Sequence, residues 1–461
     1  MIGGSVETLL QQFATFMWGT PLIVLLVGGG LFFVIYSRGL PYRHLGHGLA
    51  ILTGRYDQSY AQGTLNHFQA LSTALSGTLG LGNISGVALA ITAGGPGAVF
   101  WMWVTAVVGI ATKFFTATAA VMYRGRDSAG ELQGGPMYVI REGLGARWLW
   151  LAFVFAFAGL CGTQPIFQIN ELVNLLRTSV AYPLNLASDG SHFLFDLVVG
   201  ILAALVIFAI ISGQLQRVGK VTARIVPTMV LVYLVMTGGV LISHASAIPE
   251  AFSLIFHDAF SATAVAGGAL GTVIKVGVSR GAFSNEAGIG TESMAHGAAR
   301  TNEPVREGLV AMVGPIIDTL LVCTCTALAI LVTGVWQLGQ NDGVLLTAGA
   351  FSATYGSWGP ILLTMMVIFL SLSTILTFWY YGSKCLGFLI GAQHQHHYVW
   401  IYCVFIVIGA VASLTALFNF LIGMYAVMAI PTMVSALLLS PRIMRRAQEY
   451  FAQQKLNKSY R

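Results

Sequence analysis

The chain has 461 residues, of which 56% are hydrophobic and only 9% are charged. A soluble domain carries roughly 25% charged residues, so this composition excludes a soluble protein and indicates an all-helical integral membrane protein. The formal net charge of +6 reflects the placement of the loops described below, and it gives no indication of nucleic acid as a partner.

Apolar runs of about 20 residues recur along the chain, each long enough to cross a bilayer core of about 30 Å. They predict about eleven spans: an N-terminal span at about 15–36 and ten segments that we call core 1 to core 10. Core 1 to core 5 lie at about 66–95, 98–121, 149–175, 194–212 and 225–245. Core 6 to core 10 lie at about 263–297, 308–334, 358–382, 398–415 and 417–440. Between cores 7 and 8, NDGVLLTAGAFSATYG is too polar to span and predicts a short surface helix.

The basic residues test this count. With the N-terminus outside, all but four of the 23 Lys and Arg fall in cytoplasmic segments, and the last of these segments is the basic tail. The exceptions are Arg177 in an outer loop and Lys113, Lys275 and Arg280 within spans. Basic residues concentrate on the cytoplasmic side of membrane proteins. The pattern therefore predicts an external N-terminus and a cytoplasmic C-terminus. No cleavage site follows the first apolar run, so we expect a retained span.

Two Gly-rich polar stretches interrupt the apolar segments. Core 1 contains SGTLGLGN, and core 6 contains GVSRGAFSNEAGIG from Gly277 to Gly290. Broken helices in corresponding positions of two repeats are typical of secondary transporters, whose substrate binds between them. The alternative is that these glycines only allow helices to pack closely. We expect an N-terminal helix and linker (1–65), two five-helix inverted repeats (66–245 and 263–440) and a basic cytoplasmic tail (441–461).

The longest motifs carry a family resemblance. SGTLGLGNISGVALAITAGGPGAVFWMW, GELQGGPMYVI, RGAFSNEAGIGT and DTLLVCTCTALAILVTGVW resemble the alanine or glycine:cation symporter family of bacteria and archaea. The resemblance implies a fold similar to that of the bacterial leucine transporter, with one extra helix before a ten-helix core. It also implies a cytoplasmic (inner) membrane location.

An amino acid zwitterion needs donors for its carboxylate and acceptors for its ammonium. Free amides where the second half of core 1 begins, near Gly82 and Asn83, suit the carboxylate. Carbonyls of unwound backbone suit the ammonium, and two aromatic or aliphatic side chains would wall a small substrate. The resemblance adds Gln168, for which an interhelical hydrogen bond is the alternative. The expected substrate-binding residues are Gly77, Thr78, Gly80, Gly82, Asn83, Gln168, Phe283, Ser284, Ile289 and Phe378.

Sodium binds to several hard oxygen ligands, and core 8 offers the adjacent hydroxyls of Ser373 and Thr374. The resemblance implies that these two bind sodium together with the core 1 carbonyls of Ser76 and Leu79. The alternative is that both hydroxyls only bond to carbonyls of their own helix, as is common in membrane helices. Sodium is the one co-transported ion expected, and no organic cofactor is indicated.

Six charged residues fall within predicted spans, where charge is costly and is expected to face the bundle interior. They are Lys113, Lys275, Arg280, Glu286, Glu292 and Asp318. We expect Asp318 to pair with Lys275 or Arg280. Lys113 lies near the end of its span, so we expect it to extend toward the membrane surface.

Five positions depart from the pattern of the family. Phe378 stands where Trp is usual, Thr377 where Gly is usual, and Ser383 where an acidic residue is usual. Thr116 lies near the place of a customary Glu, and Glu292 stands where a small residue is typical. Phe378 is expected beside the substrate side chain, so these departures leave the substrate open within its class.

The sequence thus predicts a secondary active transporter that imports a small neutral amino acid, alanine, glycine or serine, with sodium by alternating access. A proton-coupled symporter is the nearest alternative, and a channel or membrane enzyme is a more distant one. Motifs of hydrolases, metalloproteases and nucleotide-binding loops are missing from the sequence. The partners expected are the amino acid and the lipid bilayer, with the protein as a monomer.

Overall fold

The structure is a computed structural model that describes residues 2–57, 60–188, 190–260, 269–339, 343–412 and 415–459. Nearly all of these residues are helical, which confirms the predicted all-helical class. Among them, one short hairpin, Gly125–Arg126 with Leu132–Gln133, follows core 2 as an antiparallel pair.

The helices of the first half follow the predicted order. The N-terminal segment comprises Ile2–Met17, Thr20–Ile23, Val24–Gly28 and Gly29–Tyr36, and the linker forms Leu40–Arg43 and Leu45–Leu52. Core 1 comprises His67–Thr78, Leu81–Asn83 and Ser85–Gly94, and core 2 is Ala98–Met122. The connection to core 3 forms Pro136–Tyr138, Val139–Leu144 and Ala146–Trp148. Core 3 is Leu149–Gly162, Ile166–Leu176 and Arg177–Ala181, core 4 is Phe193–Ile211, and core 5 is Gln214–Ser243.

The second half begins after Ala245–Ala247 and Ile248–Ala259. Core 6 comprises Ala269–Asn285 and Thr291–Gly297, while its predicted first residues, 263–268, lie outside the described residues. Core 7 is Pro304–Ala311, Ile316–Cys323 and Thr324–Val332, followed by Val335–Leu338 and Gly343–Tyr355. Core 8 is Trp358–Ile390, followed by Ala392–His397, and core 9 is Tyr398–Val411. Core 10 comprises Thr415–Val427 and Ala429–Ser459.

Eight helices in the described part of the chain are long and apolar enough to cross a membrane. A ninth candidate is a bent pair, His67–Thr78 with Leu81–Gly94, whose halves meet at 61°. Core 9 has 14 helical residues, which rise only about 21 Å at about 1.5 Å per residue. The count of eleven spans, the paired repeats and the domain boundaries therefore stay predictions.

Local signals in the sequence explain the limits of core 1. The side chain of Asn66 accepts a hydrogen bond from the Gln69 amide at 2.8 Å, and Gln69 accepts one from the Asn66 amide at 3.1 Å. This reciprocal capping box satisfies two amides at the start of the helix. The second half ends at Gly95, whose φ of +74° suits glycine.

The helix Gly343–Tyr355 corrects one prediction. It forms where expected, but it does not lie on the surface: Leu346 and Phe351 are fully buried. The Thr347 hydroxyl donates to the Ile84 carbonyl at 3.4 Å, and the helix packs on the second half of core 1 and on core 8. Its apolar residues are too few to span the membrane, yet they are enough to fill the space between two spans.

A buried carboxylate joins three core helices at the end of the bundle predicted to be cytoplasmic. Glu307, at the start of core 7, accepts from His67 Nδ1 at 2.5 Å and from His296 Nδ1 at 2.6 Å. All three side chains are 1% exposed or less. The first half of core 1 and the last turn of core 6 are therefore fastened to core 7 through one side chain.

Arg124, just after core 2, strengthens this closure. Its guanidinium donates to the carbonyls of Gly297 at 2.7 Å and Thr301 at 3.0 Å, and also to that of Ala299. Burial lowers the pKa of Arg124 to about 10, so it remains charged at neutral pH. Leu65 also pairs with Ala299 as an isolated β-bridge. Core 1 and core 6 are thus closed against each other at this end.

Replacing Glu307 by Ala should destabilise the protein, because two buried imidazole N–H groups lose their acceptor. Each loss costs about 1–3 kcal/mol, and the midpoint of thermal unfolding in detergent should fall accordingly. Glu307→Gln is the matched control, since an amide can still accept from one imidazole and donate to the other. An alanine variant that unfolds at the wild-type midpoint would show that the carboxylate does not hold these helices.

Candidate functional site

The break in core 1 is an extended turn between two helices. The first helix ends at Leu79, Gly80 is extended at φ −140° and ψ −152°, and Leu81–Asn83 form one turn of 3₁₀ helix. The Asn83 side chain accepts from the Gly80 amide at 3.0 Å. A Cβ on Gly80 would lie 2.7 Å from Thr374 Oγ1 of core 8. Only glycine lets the two segments approach so closely.

The interruption in core 6 covers residues 286–290. Glu286 has φ +54°, Gly288 φ +87° and Gly290 φ +100°, a left-handed conformation that glycine adopts easily and glutamate rarely. The Glu286 carboxylate accepts from the hydroxyls of Thr291 and Tyr425. Two strong donors therefore hold a strained residue in place, one from the next helix and one from core 10.

The predicted sodium ligands lie together where core 1 meets core 8. Thr374 Oγ1 is 3.1 Å from the Ser76 carbonyl, and Ser76 Oγ donates to the Ser373 carbonyl at 2.7 Å. Leu79, the fourth expected ligand, is buried at the end of the same helix. A fifth oxygen was not predicted: the Leu370 carbonyl is 2.9 Å from Ser373 Oγ and 3.0 Å from Thr374 Oγ1. The hydroxyls thus contact both their own helix and core 1.

An aromatic cavity of about 30 Å³ lies beside the core 6 break. Gln168, Phe283 and Phe378 line it, as expected for a shared pocket. Tyr425 of core 10 joins them, with its ring centroid 5.7 Å from that of Phe283 and 6.1 Å from that of Phe378. The remaining lining residues, none of them predicted, are Gly162, Gln164, Phe167, Phe418, Leu421 and Ile422. This volume is close to that of one water molecule, about 30 Å³.

Two amide oxygens in this pocket lack donors. Oε1 of Gln168 and Oε1 of Gln164 are buried, and neither accepts a hydrogen bond from any described residue. Asn170, one turn along, instead donates to the carbonyls of Gly409 and Ala412 at 3.0 and 3.1 Å. The interhelical role considered for Gln168 is therefore seen at Asn170. Buried polar atoms without a partner are uncommon and costly, which marks both glutamines as available to a ligand donor.

Asn83 and Ser284 are committed to a different partner. Asn83 Nδ2 donates to Asp318 Oδ1 at 2.7 Å, and Ser284 Oγ donates to Asp318 Oδ2 at 2.9 Å. Thr319 adds a third donor at 2.7 Å. Asp318 of core 7 thus links the two breaks through their side chains, which leaves only the backbone of Asn83 and Ser284 free for a ligand. Gly82 lies alongside, where an added Cβ would be 3.6 Å from the Phe283 ring.

Three other predicted residues lie away from the aromatic cavity. Gly77 packs against Thr377 and Tyr381 of core 8, and the Thr78 hydroxyl donates to the Leu75 carbonyl at 3.3 Å. Ile289 is fully buried, and its carbonyl accepts from Thr432 at 2.9 Å. None of the three lines the pocket that contains Phe283 and Phe378.

The structure overturns two expectations about charge. Asp318 does not pair with Lys275 or Arg280: Lys275 is exposed, and three neutral donors surround the carboxylate instead. Lys113 does not extend to the surface: its side chain is 2% exposed, and a Cβ on Gly314 would be 3.3 Å from Nζ. Lys113 lies within the bundle, so its field acts on Glu286 and Asp318.

Comparisons with known proteins agree with this architecture. The sequence model of the sodium:alanine symporter family matches residues 4–461. A relative from Methanococcus maripaludis, the sodium/alanine symporter AgcS, is 38% identical, with 94% of each chain covered. The probable sodium/glutamine symporter GlnT of Bacillus subtilis is 30% identical, covering 96% of this chain and 90% of its own. A crystal structure of MhsT in complex with L-phenylalanine aligns at a TM-score of 0.61 and 13% identity, covering 82% and 89%.

Substituting Asn83 by Ala should lower the midpoint of thermal unfolding in detergent. The variant removes a donor to a buried carboxylate, worth about 1.5–3 kcal/mol, and also the acceptor for the Gly80 amide. Gln168→Ala is the matched control, because Gln168 forms no hydrogen bond with the described residues. Equal destabilisation by the two substitutions would contradict the role assigned to Asn83.

Proposed function

The chain belongs to the sodium:alanine symporter family, and from this premise we propose that it imports a small neutral amino acid together with sodium. The expectation that it is not an enzyme is confirmed, because the family and the named relatives are symporters. We propose alanine or glycine as the substrate, with serine next, taken up by alternating access across a bacterial or archaeal cytoplasmic membrane. The expected N-out, C-in orientation and monomeric state are part of this proposal.

One observation carries the proposal: the contact of Ser373 and Thr374 with the broken part of core 1. Carbonyl and hydroxyl oxygens without a formal charge suit a monovalent hard cation. A ligand shifts a conformational equilibrium only by binding one state better than the other. A sodium ion held by Ser76, Leu79, Leu370, Ser373 and Thr374 would bind only while core 1 and core 8 are in contact. The ion would thereby control whether the core 1 break keeps its shape for the amino acid.

The second support is the character of the pocket beside the core 6 break. Phe283, Phe378 and Tyr425 would enclose a methyl-sized side chain, and the amide oxygens of Gln164 and Gln168 would accept from the ammonium. Backbone amides near Gly82 and Asn83 would receive the carboxylate. The cavity of about 30 Å³ must widen even for alanine. Large side chains would require a much greater displacement of the aromatic rings.

Thr374→Val should raise the sodium concentration for half-maximal alanine uptake in proteoliposomes by about tenfold, equivalent to about 1.4 kcal/mol of lost ion binding. Valine keeps the shape of threonine and removes one ligand oxygen. Thr377→Val is the matched control, because Thr377 also bonds to core 1, at the Thr73 carbonyl, but is not among the proposed ligands. Uptake driven equally well by a proton gradient in choline would overturn sodium coupling.

Competition among amino acids tests the proposed pocket. Alanine, glycine and serine should compete for uptake by the wild-type protein, whereas leucine and phenylalanine should not. Phe378→Ala should admit valine or leucine and weaken alanine binding by about tenfold, equivalent to about 1.4 kcal/mol. Because one methylene discriminates by only about 1–3 kcal/mol, exclusion of large substrates must come from steric clash. Strong leucine competition against the wild type would show that the pocket is already wide.

A further inference from the structure

Four buried carboxylates lie within the described part of the bundle, and they differ in how well they are satisfied. Glu307 accepts from two imidazoles, Asp318 from three side-chain donors, and Glu286 from two hydroxyls. Glu292, also fully buried, is different. Its Oε1 lies 3.3 Å from Thr116 Oγ1, a long contact, and its Oε2 has no partner among the described residues.

An ionised carboxylate in this position would be poorly solvated. A buried charge is tolerated when it is paired and hydrogen-bonded, and one long contact provides neither. A protonated Glu292 fits the same atoms well. Its Oε1–H would donate to Thr116 Oγ1, and the Thr116 hydroxyl would donate to the Lys113 carbonyl at 3.4 Å. Oε2 would then be a neutral carbonyl oxygen, whose missing donor costs far less than that of an anion.

The charges around Glu292 favour the same protonation state. The last helix of core 6 packs on core 1 and core 2, and Lys113 is the buried ammonium on this part of core 2. Lys113 acts on both Glu286 and Asp318, and Glu286 in turn repels Glu292. The other titratable groups nearby are Tyr381 of core 8, Tyr425 of core 10 and the His67–Glu307–His296 cluster. A third ionised carboxylate would therefore lack a balancing charge.

A small polar cavity beside Thr116 offers the proton a way out. Its volume is about 10 Å³, and hydroxyls of Thr116, Ser293, Thr432 and Ser435 line it together with Pro136 of the loop after core 2. A cavity of about 10–15 Å³ with several polar partners can hold one water molecule. Pro136 belongs to the side predicted to be cytoplasmic, so water would enter from there when cores 1 and 6 separate.

We propose that Glu292, together with Thr116, is a proton-binding site, separate from the Ser373–Thr374 site, that carries one proton inward with the amino acid. On opening to the cytoplasm, the Oε1–H bond breaks, the proton passes to water in the cavity, and the carboxylate accepts from Thr116 and water. The external solution reprotonates it after the carrier turns outward. This site rests on the proposed transport function for its coupling role, although its protonation is a property of the structure alone.

Infrared spectroscopy of the purified protein tests the protonation without any substrate. The wild type at neutral pH should show the carbonyl stretch of a protonated carboxylic acid. Glu292→Gln should remove that band, while Glu286→Gln, which alters a carboxylate with two donors, should leave it. If Glu292→Gln does not fold, Thr116→Val should shift the band, since the acid loses its acceptor. A band untouched by Glu292→Gln, or unshifted by Thr116→Val, overturns the proposal.

Proton movement in vesicles tests the coupling. Proteoliposomes filled with a pH-sensitive dye should acidify inside when alanine and sodium are added to the wild type. Glu292→Gln should still take up alanine with sodium but should acidify no more than vesicles without alanine. Equal acidification by variant and wild type would overturn the site. If the wild type transports no amino acid at all, the proposed function fails, while the infrared comparison still decides whether Glu292 holds a proton.

Discussion

The hydrocarbon core of a bilayer offers no water to the peptide backbone, so every N–H and C=O there must find a partner inside the protein. The rest of the structure depends on how this requirement is met at the two breaks. At Gly80, the freed amide is taken by Asn83, and at Ile289 the freed carbonyl is taken by Thr432 of core 10. Asp318 then joins both breaks through Asn83 and Ser284. Side chains from four helices thus replace the missing turns of helix.

The same constraint separates the groups that hold the breaks from the groups left for ligands. The side chain of Asn83 is occupied by Asp318, whereas the amide oxygens of Gln164 and Gln168 have no donor among the described residues. The Leu370 carbonyl and the Ser373 and Thr374 hydroxyls form a compact group of oxygens at the core 1 break. Groups available for recognition therefore lie beside the breaks, on the neighbouring helices, as much as within them.

The sequence predicted the helical class, the position of both Gly-rich interruptions and the meeting of Ser76 with Thr374, because these depend on composition, on glycine and on a strong family resemblance. It did not predict Tyr425 or Gln164, since nothing in a uniformly apolar segment marks which residue faces a cavity. Lys113 and Asp318 were misplaced for a related reason. A buried charge chooses partners in three dimensions, and the neutral donors of Asp318 come from residues 83, 284 and 319. Burial of Gly343–Tyr355 likewise depends on the space that its neighbours leave.

The contacts of Arg124 have a consequence for the speed of the transport cycle. One planar guanidinium donates to the carbonyls of Gly297, Ala299 and Thr301, and its fork fits them only while the chain between these residues keeps its path. These bonds must break nearly together when the cytoplasmic side opens, because a rigid fork cannot release its acceptors one at a time. The activation enthalpy of opening is therefore high, and turnover should slow more steeply on cooling than diffusion through water would.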